Sequence, residues 1–278
     1  MKIENKKKPF ANILLYISAA IGIVLIAMTC IALKYYQSMD TLKNVKFIAH
    51  RGLSSKYYEN SEKAFLAAAK SDFFYGIETD VYFTADNVAV CSHDNDAFVD
   101  GSVKITSSNY EEIKDLPLKK DSYGFENAGL CRFDRYLEIC AEYGKTAVIE
   151  LKDYYMSEDE IKKVVDMARS VCGDEFVIVS FSKKHIQTVL SLDPDVKTQH
   201  VVQNDINIQT SLLEGYDVTD YFGHLTKNLI DDAHGQGRKV GVWTVNNIML
   251  AIKYANYGVD YISTDKDFSK DWWQALLK

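Results

Sequence analysis

The chain is 278 residues long, 47% hydrophobic, 12% aromatic and 26% charged, with a formal net charge of -7. Those proportions rule out a disordered segment, and 14 glycines with 3 prolines are too few for a fibrous or low-complexity one. The acidic balance argues against a nucleic-acid partner, whose binding face would be basic.

The first predicted element is apolar. Positions 10–33 run for 24 residues without a charge. As a helix at roughly 1.5 Å per residue they span about 36 Å, enough to cross a hydrocarbon core of about 30 Å with some tilt. Lys2, Lys6, Lys7 and Lys8 precede this stretch, and Lys34, Tyr35 and Tyr36 follow it. The lysine bias predicts a single-pass helix in the cell membrane over 10–34, with residues 1–9 cytoplasmic, 35–44 a linker and the remainder outside the cytoplasm. A cleaved signal fits less well, because its apolar region is about 7–15 residues and ends at a small-residue site. Thr29 before Cys30 does not suit lipoprotein processing. This division also separates charge: the first 44 residues hold six lysines and two acids, so positions 45–278 carry -11.

From Val45 onward, short β-branched or aromatic runs alternate with helical periodicity. Strands are predicted near 45–50, 76–82, 146–151, 176–181, 198–203, 217–222, 239–245 and 261–264, and helices over 61–70, 158–171, 225–234 and 249–254, among others. Eight strands in this length give about 29 residues each, close to the roughly 30 of a βαβ unit. The pattern predicts one domain over 45–278, an α/β fold of the (β/α)8 TIM barrel type rather than an open sheet. One interval is too long for such a unit: a short extra strand at 88–91 and an irregular stretch at 94–129 form an insertion after the second strand, expected to cover a pocket. The 5 cysteines are odd in number and irregularly spaced, so neither a disulfide scaffold nor a zinc site is indicated. Trp272 and Trp273 are expected to pack a last helix on the barrel.

Chemically active residues collect at the predicted strand ends. His50 closes the first strand, followed by Arg51 and Gly52. Glu78 and Asp80, two apart on the second, project to one face, as do Glu150 and Lys152 around the third. His93 and Asp94 end the extra strand, Trp243 sits late in the seventh and Asp265 ends the eighth. In a barrel all of these line the C-terminal mouth, where active sites of this architecture lie. Three carboxylates without cysteine form a hard-oxygen set suited to Ca²⁺ or Mg²⁺. Two histidines supply general acid and base, and Arg51 and Lys152 supply positive charge for a phosphate. Taken singly, each feature has a structural reading: a solvated strand face, a glycine turn, a loop hydrogen bond.

The strings AHRG at 49–52, ENS at 59–61 with AF at 64–65, GIETDV at 76–81 and HD at 93–94 resemble the signature of glycerophosphodiester phosphodiesterases. IELK at 149–152, VSF at 179–181, VWTVN at 242–246 and GVDYISTD at 258–265 extend the resemblance in order across 47–267. The resemblance implies a (β/α)8 barrel that cleaves glycerophosphodiesters to glycerol 3-phosphate and an alcohol with a divalent metal. It implies Glu78, Asp80 and Glu150 as metal ligands, His50 and His93 as acid and base, Arg51 and Lys152 on the phosphate, and Trp243 as an aromatic wall beside the glycerol. Departures lie in the loops: Tyr58 where the family often has Pro, Ser61 for Thr, 95–100 for an Arg-Thr-Thr stretch, and Lys266 after Asp265. They bear on substrate choice. A barrel phosphodiesterase acting on intact phospholipid, and a noncatalytic membrane-anchored binding protein, are the competing readings. The remaining histidines, His185, His200, His224 and His234, match no motif and read as surface or structural residues.

Overall fold

The computed structural model describes residues 8–127, 129–203 and 205–270; Trp272 and Trp273 lie outside them. The chain forms two units, Met1–Asn44 and Val45–Lys278.

Among the described residues the first unit holds one helix, α1 (Lys8–Leu42). Its segment Asn12–Leu33, of mean hydropathy 2.5, is long and apolar enough to cross a membrane. Two of its hydroxyls bond within the helix: Ser18 donates to the Leu15 carbonyl at 2.9 Å and Thr29 to that of Leu25 at 2.8 Å. Hydrocarbon demands such internal pairing. The helix runs on through Leu42 and so takes in most of the 35–44 segment expected as a linker.

The second unit is a (β/α)8 TIM barrel. Its staves are β1 (Lys46–Ala49), β2 (Gly76–Phe83), β5 (Thr146–Leu151), β6 (Phe176–Ser180), β7 (Lys197–Val202), β8 (Asp217–Tyr221), β9 (Val240–Trp243) and β10 (Tyr261–Thr264), while β3 (Ala89–Cys91) and β4 (Cys131–Arg132) stand outside the ring. The staves are parallel throughout, and β1 pairs with both β10 and β2, which closes the sheet. Around them lie α2 (Glu62–Ala69), α4 (Phe133–Glu142), α5 (Glu158–Cys172), α6 (Lys183–Leu192), α7 (Asp205–Leu213), α8 (Lys227–Gly235) and α9 (Ile248–Tyr257); α3 (Tyr110–Ile113) belongs to the insertion. Strands covered on both faces become continuous apolar runs, as in β6, where all five residues are buried.

Local signals fix the helix starts. Ser61 caps α2 by accepting from the Ala64 amide, Ser157 and Glu160 form a reciprocal capping box on α5, and Asn247 caps α9. Buried Tyr136 on α4 donates to the carbonyls of Ile77 (2.7 Å) and Val148 (3.2 Å), tying that helix across β2 and β5.

The insertion is more ordered than its sequence suggests. β2 overhangs the ring, and its last residues pair antiparallel with β3, with Val81 opposite Cys91 and Phe83 opposite Ala89. The following stretch, expected to be irregular, contains a 3-10 turn (Ile105–Ser107), α3 and an isolated bridge between Phe98 and Leu118. Val90, Ala97, Phe98, Ile105, Ile113, Leu118 and Leu130 condense into a core of its own. Their irregular spacing carries no period, so no element is visible in sequence although the residues meet in space.

Candidate active site

All eight residues expected at the site converge on the C-terminal mouth. Seven of them, all but the buried Asp80, line a cavity of about 320 Å³ that runs down into the barrel.

β1 ends at Ala49, one residue earlier than expected, yet the His50 amide still donates to the Thr264 carbonyl at 3.0 Å and stays on the barrel ladder. Its Nδ1 lies 2.8 Å from Asp265 Oδ1. The other oxygen of Asp265 accepts from the Tyr123 hydroxyl at 2.9 Å and the Asn246 amide at 2.5 Å. Burial works to raise Asp265, but the bonds from His50, Asn246 and Tyr123 prevail and pull it down to about 2. His50 is desolvated, which lowers it; its bond to Asp265 and the nearby Glu78 charge outweigh this and leave it raised.

Arg51 and Gly52 form a turn at φ 57 and 79. A side chain at Gly52 would bring its Cβ within 2.6 Å of the Ala64 backbone, so the close approach of α2 demands glycine. The turn aims the Arg51 amide at Glu78 Oε2 (2.8 Å), its Nη1 at both Glu59 oxygens (3.0 Å) and its Nε towards Asp80 Oδ2 (3.3 Å). Asn60, also at positive φ (54), donates to Asp80 Oδ2 at 2.8 Å and accepts from the Thr79 hydroxyl at 2.8 Å. The ENS segment thus holds the orientation of Asp80.

Oxygens of Glu78, Asp80 and Glu150 lie within 4.8 Å of one another. Glu78 is pushed up to about 8, first by burial and then by the Asp80 charge. Asp80 is held well below the usual carboxylate range: burial opposes this, but Arg51 and Lys152 outweigh it. Lys152 Nζ sits 2.9 Å from Glu150 and 3.2 Å from Asp80. An all-oxygen cluster in which burial and then the Asp80 charge lift both Glu78 and Glu150 is a donor set that a hard divalent cation fits, because its charge turns the mutual repulsion into attraction.

His93 enters from the loop after β3, its Nδ1 2.9 Å from Asp94, whose side chain is 64% exposed. Desolvation, followed by the competing charges of Asp80 and Arg51, leaves His93 lowered. Trp243 ends β9, edge-on to Phe181 and Tyr221 at 6.1 and 6.0 Å. Its buried indole N–H has no hydrogen-bond partner among the described residues.

Five contributors carry no assigned role in the sequence: Glu59, Asn60, Tyr123, Asn246 and Asp265. Four of them fall in strings that carry the resemblance, so their positions were visible though their contacts were not. Tyr123 lies in the insertion, where no sequence signal marks it. The other histidines bond within the scaffold, as with His200 to Ser211 (2.7 Å) and His234 to Asp260 (3.0 Å).

The barrel and its charged mouth define a TIM-barrel protein with acidic, basic and imidazole groups converging on one cavity. Residues 50–267 match the model of the glycerophosphoryl diester phosphodiesterase family, and the chain belongs to that family. It is similar to a glycerophosphodiester phosphodiesterase of Bacillus altitudinis, 26% identical over 235 residues, covering 79% of this chain and 94% of that protein. Glycerophosphodiester phosphodiesterase 1 of Bos taurus is 29% identical over 174 residues, covering 58% of this chain and 51% of that protein. The chain thus spans about half the length of the Bos taurus and Homo sapiens relatives it matches. Among solved structures, a putative glycerophosphoryl diester phosphodiesterase of Silicibacter pomeroyi superposes with a TM-score of 0.70 at 25% identity, covering 80% of this chain and 90% of that one. An Oleispira antarctica phosphodiesterase, solved in complex with the product sn-glycerol-3-phosphate, shares the fold with a TM-score of 0.66 at 20% identity, covering 84% and 97%.

Proposed function

We propose that this protein hydrolyses glycerophosphodiesters to glycerol 3-phosphate and an alcohol, using a divalent cation, Ca²⁺ or Mg²⁺, held by Glu78, Asp80 and Glu150. The observation that carries the reading is the pair of imidazoles beside the carboxylate cluster, with His50 raised and His93 lowered. Environments that push two like groups apart divide the acid from the base. His93, whose pKa is held down, takes the proton from the attacking hydroxyl, which belongs to water or to the neighbouring glycerol carbon. His50, whose pKa is held up and which Asp265 orients, gives a proton to the leaving alkoxide. Arg51 and Lys152 orient the phosphoryl oxygens, and Trp243 walls the glycerol end. The bound cation supplies further positive charge where phosphoryl charge develops.

The test is release of glycerol 3-phosphate from a panel of deacylated diesters, read by a coupled enzyme assay on the full chain in detergent. His50→Ala and His93→Ala are each expected to cost roughly 10²–10⁴-fold in kcat. Full activity in both variants would overturn the assignment. Lipid vesicles in the same panel separate deacylated diesters from intact phospholipid, and calorimetric binding without turnover would mark a noncatalytic protein. We further propose that α1 anchors the protein in the cell membrane, N-terminus cytoplasmic and barrel outside, on the strength of the lysines that precede the apolar stretch. Protease digestion of intact cells is expected to degrade the barrel; protection of the barrel would reverse the orientation.

A further inference from the structure

Two of the five cysteines meet across the antiparallel pair whose connecting segment carries His93. Cys91 on β3 and Cys131 on β4 are direct register partners in an antiparallel pair. Opposite residues in such a pair project to the same face, with Cα atoms roughly 4.5–5.5 Å apart, inside the window of roughly 4.4–6.8 Å that disulfides span. The thiols sense each other: burial first, and next the Cys131 thiol, push Cys91 up. Cys91 is buried at 2% exposure, whereas Cys131 is partly exposed, and both line a second cavity of about 190 Å³ between the insertion and the 58–60 segment. A small oxidant therefore has access to one sulfur while the other waits behind it.

We propose that Cys91 and Cys131 are a disulfide-forming pair that closes the insertion into a covalent loop in an oxidising environment. The oxidant is a small-molecule disulfide such as oxidised glutathione. The Cys131 thiolate attacks one of its sulfurs, which breaks the small disulfide, releases one thiol and leaves a mixed disulfide on Cys131. The Cys91 thiolate then attacks Cys131 Sγ, forming the protein disulfide and releasing the second small thiol. Two protein thiols are oxidised, one small disulfide is reduced to two thiols, and the two cysteine protons end on those thiols. The closed loop encloses residues 92–130, including His93 and Tyr123, so the bond restrains the segment that completes the mouth. The proposal is independent of the reaction catalysed.

The test uses the full chain in detergent with Cys30→Ser, which removes links between helices of different molecules. After equilibration with oxidised glutathione, denaturation and alkylation, peptide mapping is expected to find Cys91 joined to Cys131 and separated again by dithiothreitol. The oxidised form is expected to melt roughly 5–10 °C above the reduced form, with no such difference in Cys131→Ser. Two results overturn the proposal: Cys91 and Cys131 both alkylated after oxidation, or a link confined to Cys140 and Cys172, which also lie near each other. The mapping is done with native Cys91 and Cys131, so it decides the matter even where Cys131→Ser fails to fold.

Discussion

Replacing Asp265 with Asn removes a charge from His50 while keeping an oxygen that accepts from Tyr123 and Asn246. Burial and Arg51 pull His50 down; Asp265 and Glu78 hold it up. Without the Asp265 charge the balance reverses, and the imidazole loses its proton at a lower pH. A hydrogen bond to a charged group contributes about 1.5–3 kcal/mol, so the loss in kcat at neutral pH is expected to be roughly 10–150-fold. The assay is kcat and kcat/KM for glycerol 3-phosphate release across about pH 5 to 9 at saturating metal, which keeps the carboxylate cluster ionised throughout. A general acid must be protonated, so its activity is lost as pH rises through its pKa. If His50 is the acid, the alkaline limb moves to lower pH in Asp265→Asn and the acid limb, set by His93, stays. A shift of the acid limb instead would exchange the two roles. A folded variant with kcat within about twofold of wild type and both limbs in place would refute the coupling of Asp265 to His50.

Three further outcomes follow from the same contacts. Exhaustive chelation is expected to abolish turnover and added Ca²⁺ or Mg²⁺ to restore it, while Glu150→Gln is expected to bind the metal roughly 10-fold or more weakly by calorimetry; turnover untouched by chelation would contradict the cation site. Ser61→Ala removes the α2 cap and is expected to cost about 1 kcal/mol, a fall of roughly 2–4 °C in melting temperature, with glycerol 3-phosphate release largely preserved. Gly52→Ala forces a side chain against the Ala64 backbone at positive φ, and is expected to destabilise by roughly 2 kcal/mol or more in denaturant melts; a stability equal to wild type would show that the α2 approach is looser than the geometry implies.

The barrel was legible because its signals are local. Each stave is a short β-branched or aromatic run, and period-two alternation puts Glu78 beside Asp80 and Glu150 beside Lys152 without knowledge of the partner strands. Contacts between distant segments were not legible. Nothing in the alternation shows that Asn60, just before α2, turns its amide onto Asp80, or that Asp265 meets His50 across the seam where the barrel closes. The insertion was least legible: Phe98, Ile105, Ile113 and Leu118 pack together without any period, and Tyr123 reaches Asp265 from a loop. Cys91 and Cys131 looked unrelated at their spacing because the register that pairs them depends on that same folded insertion.

One strand joins the two halves of the site. β2 supplies Glu78 and Asp80 from inside the ring, and its overhang then templates β3, with the Ser92 amide donating to the Asp80 carbonyl at 3.0 Å. His93 is the next residue. The position of the proposed base is thus set by main-chain bonds to the residue that centres the carboxylate cluster, while His50 is set independently by β1 and β10. Because side chains alternate along a strand, a one-residue slip of β3 would turn His93 away from the mouth without moving any carboxylate. A change confined to the β3 register is therefore expected to lower kcat while leaving metal affinity in place, and metal binding that weakens in step with kcat would show that the two halves are not separable in this way.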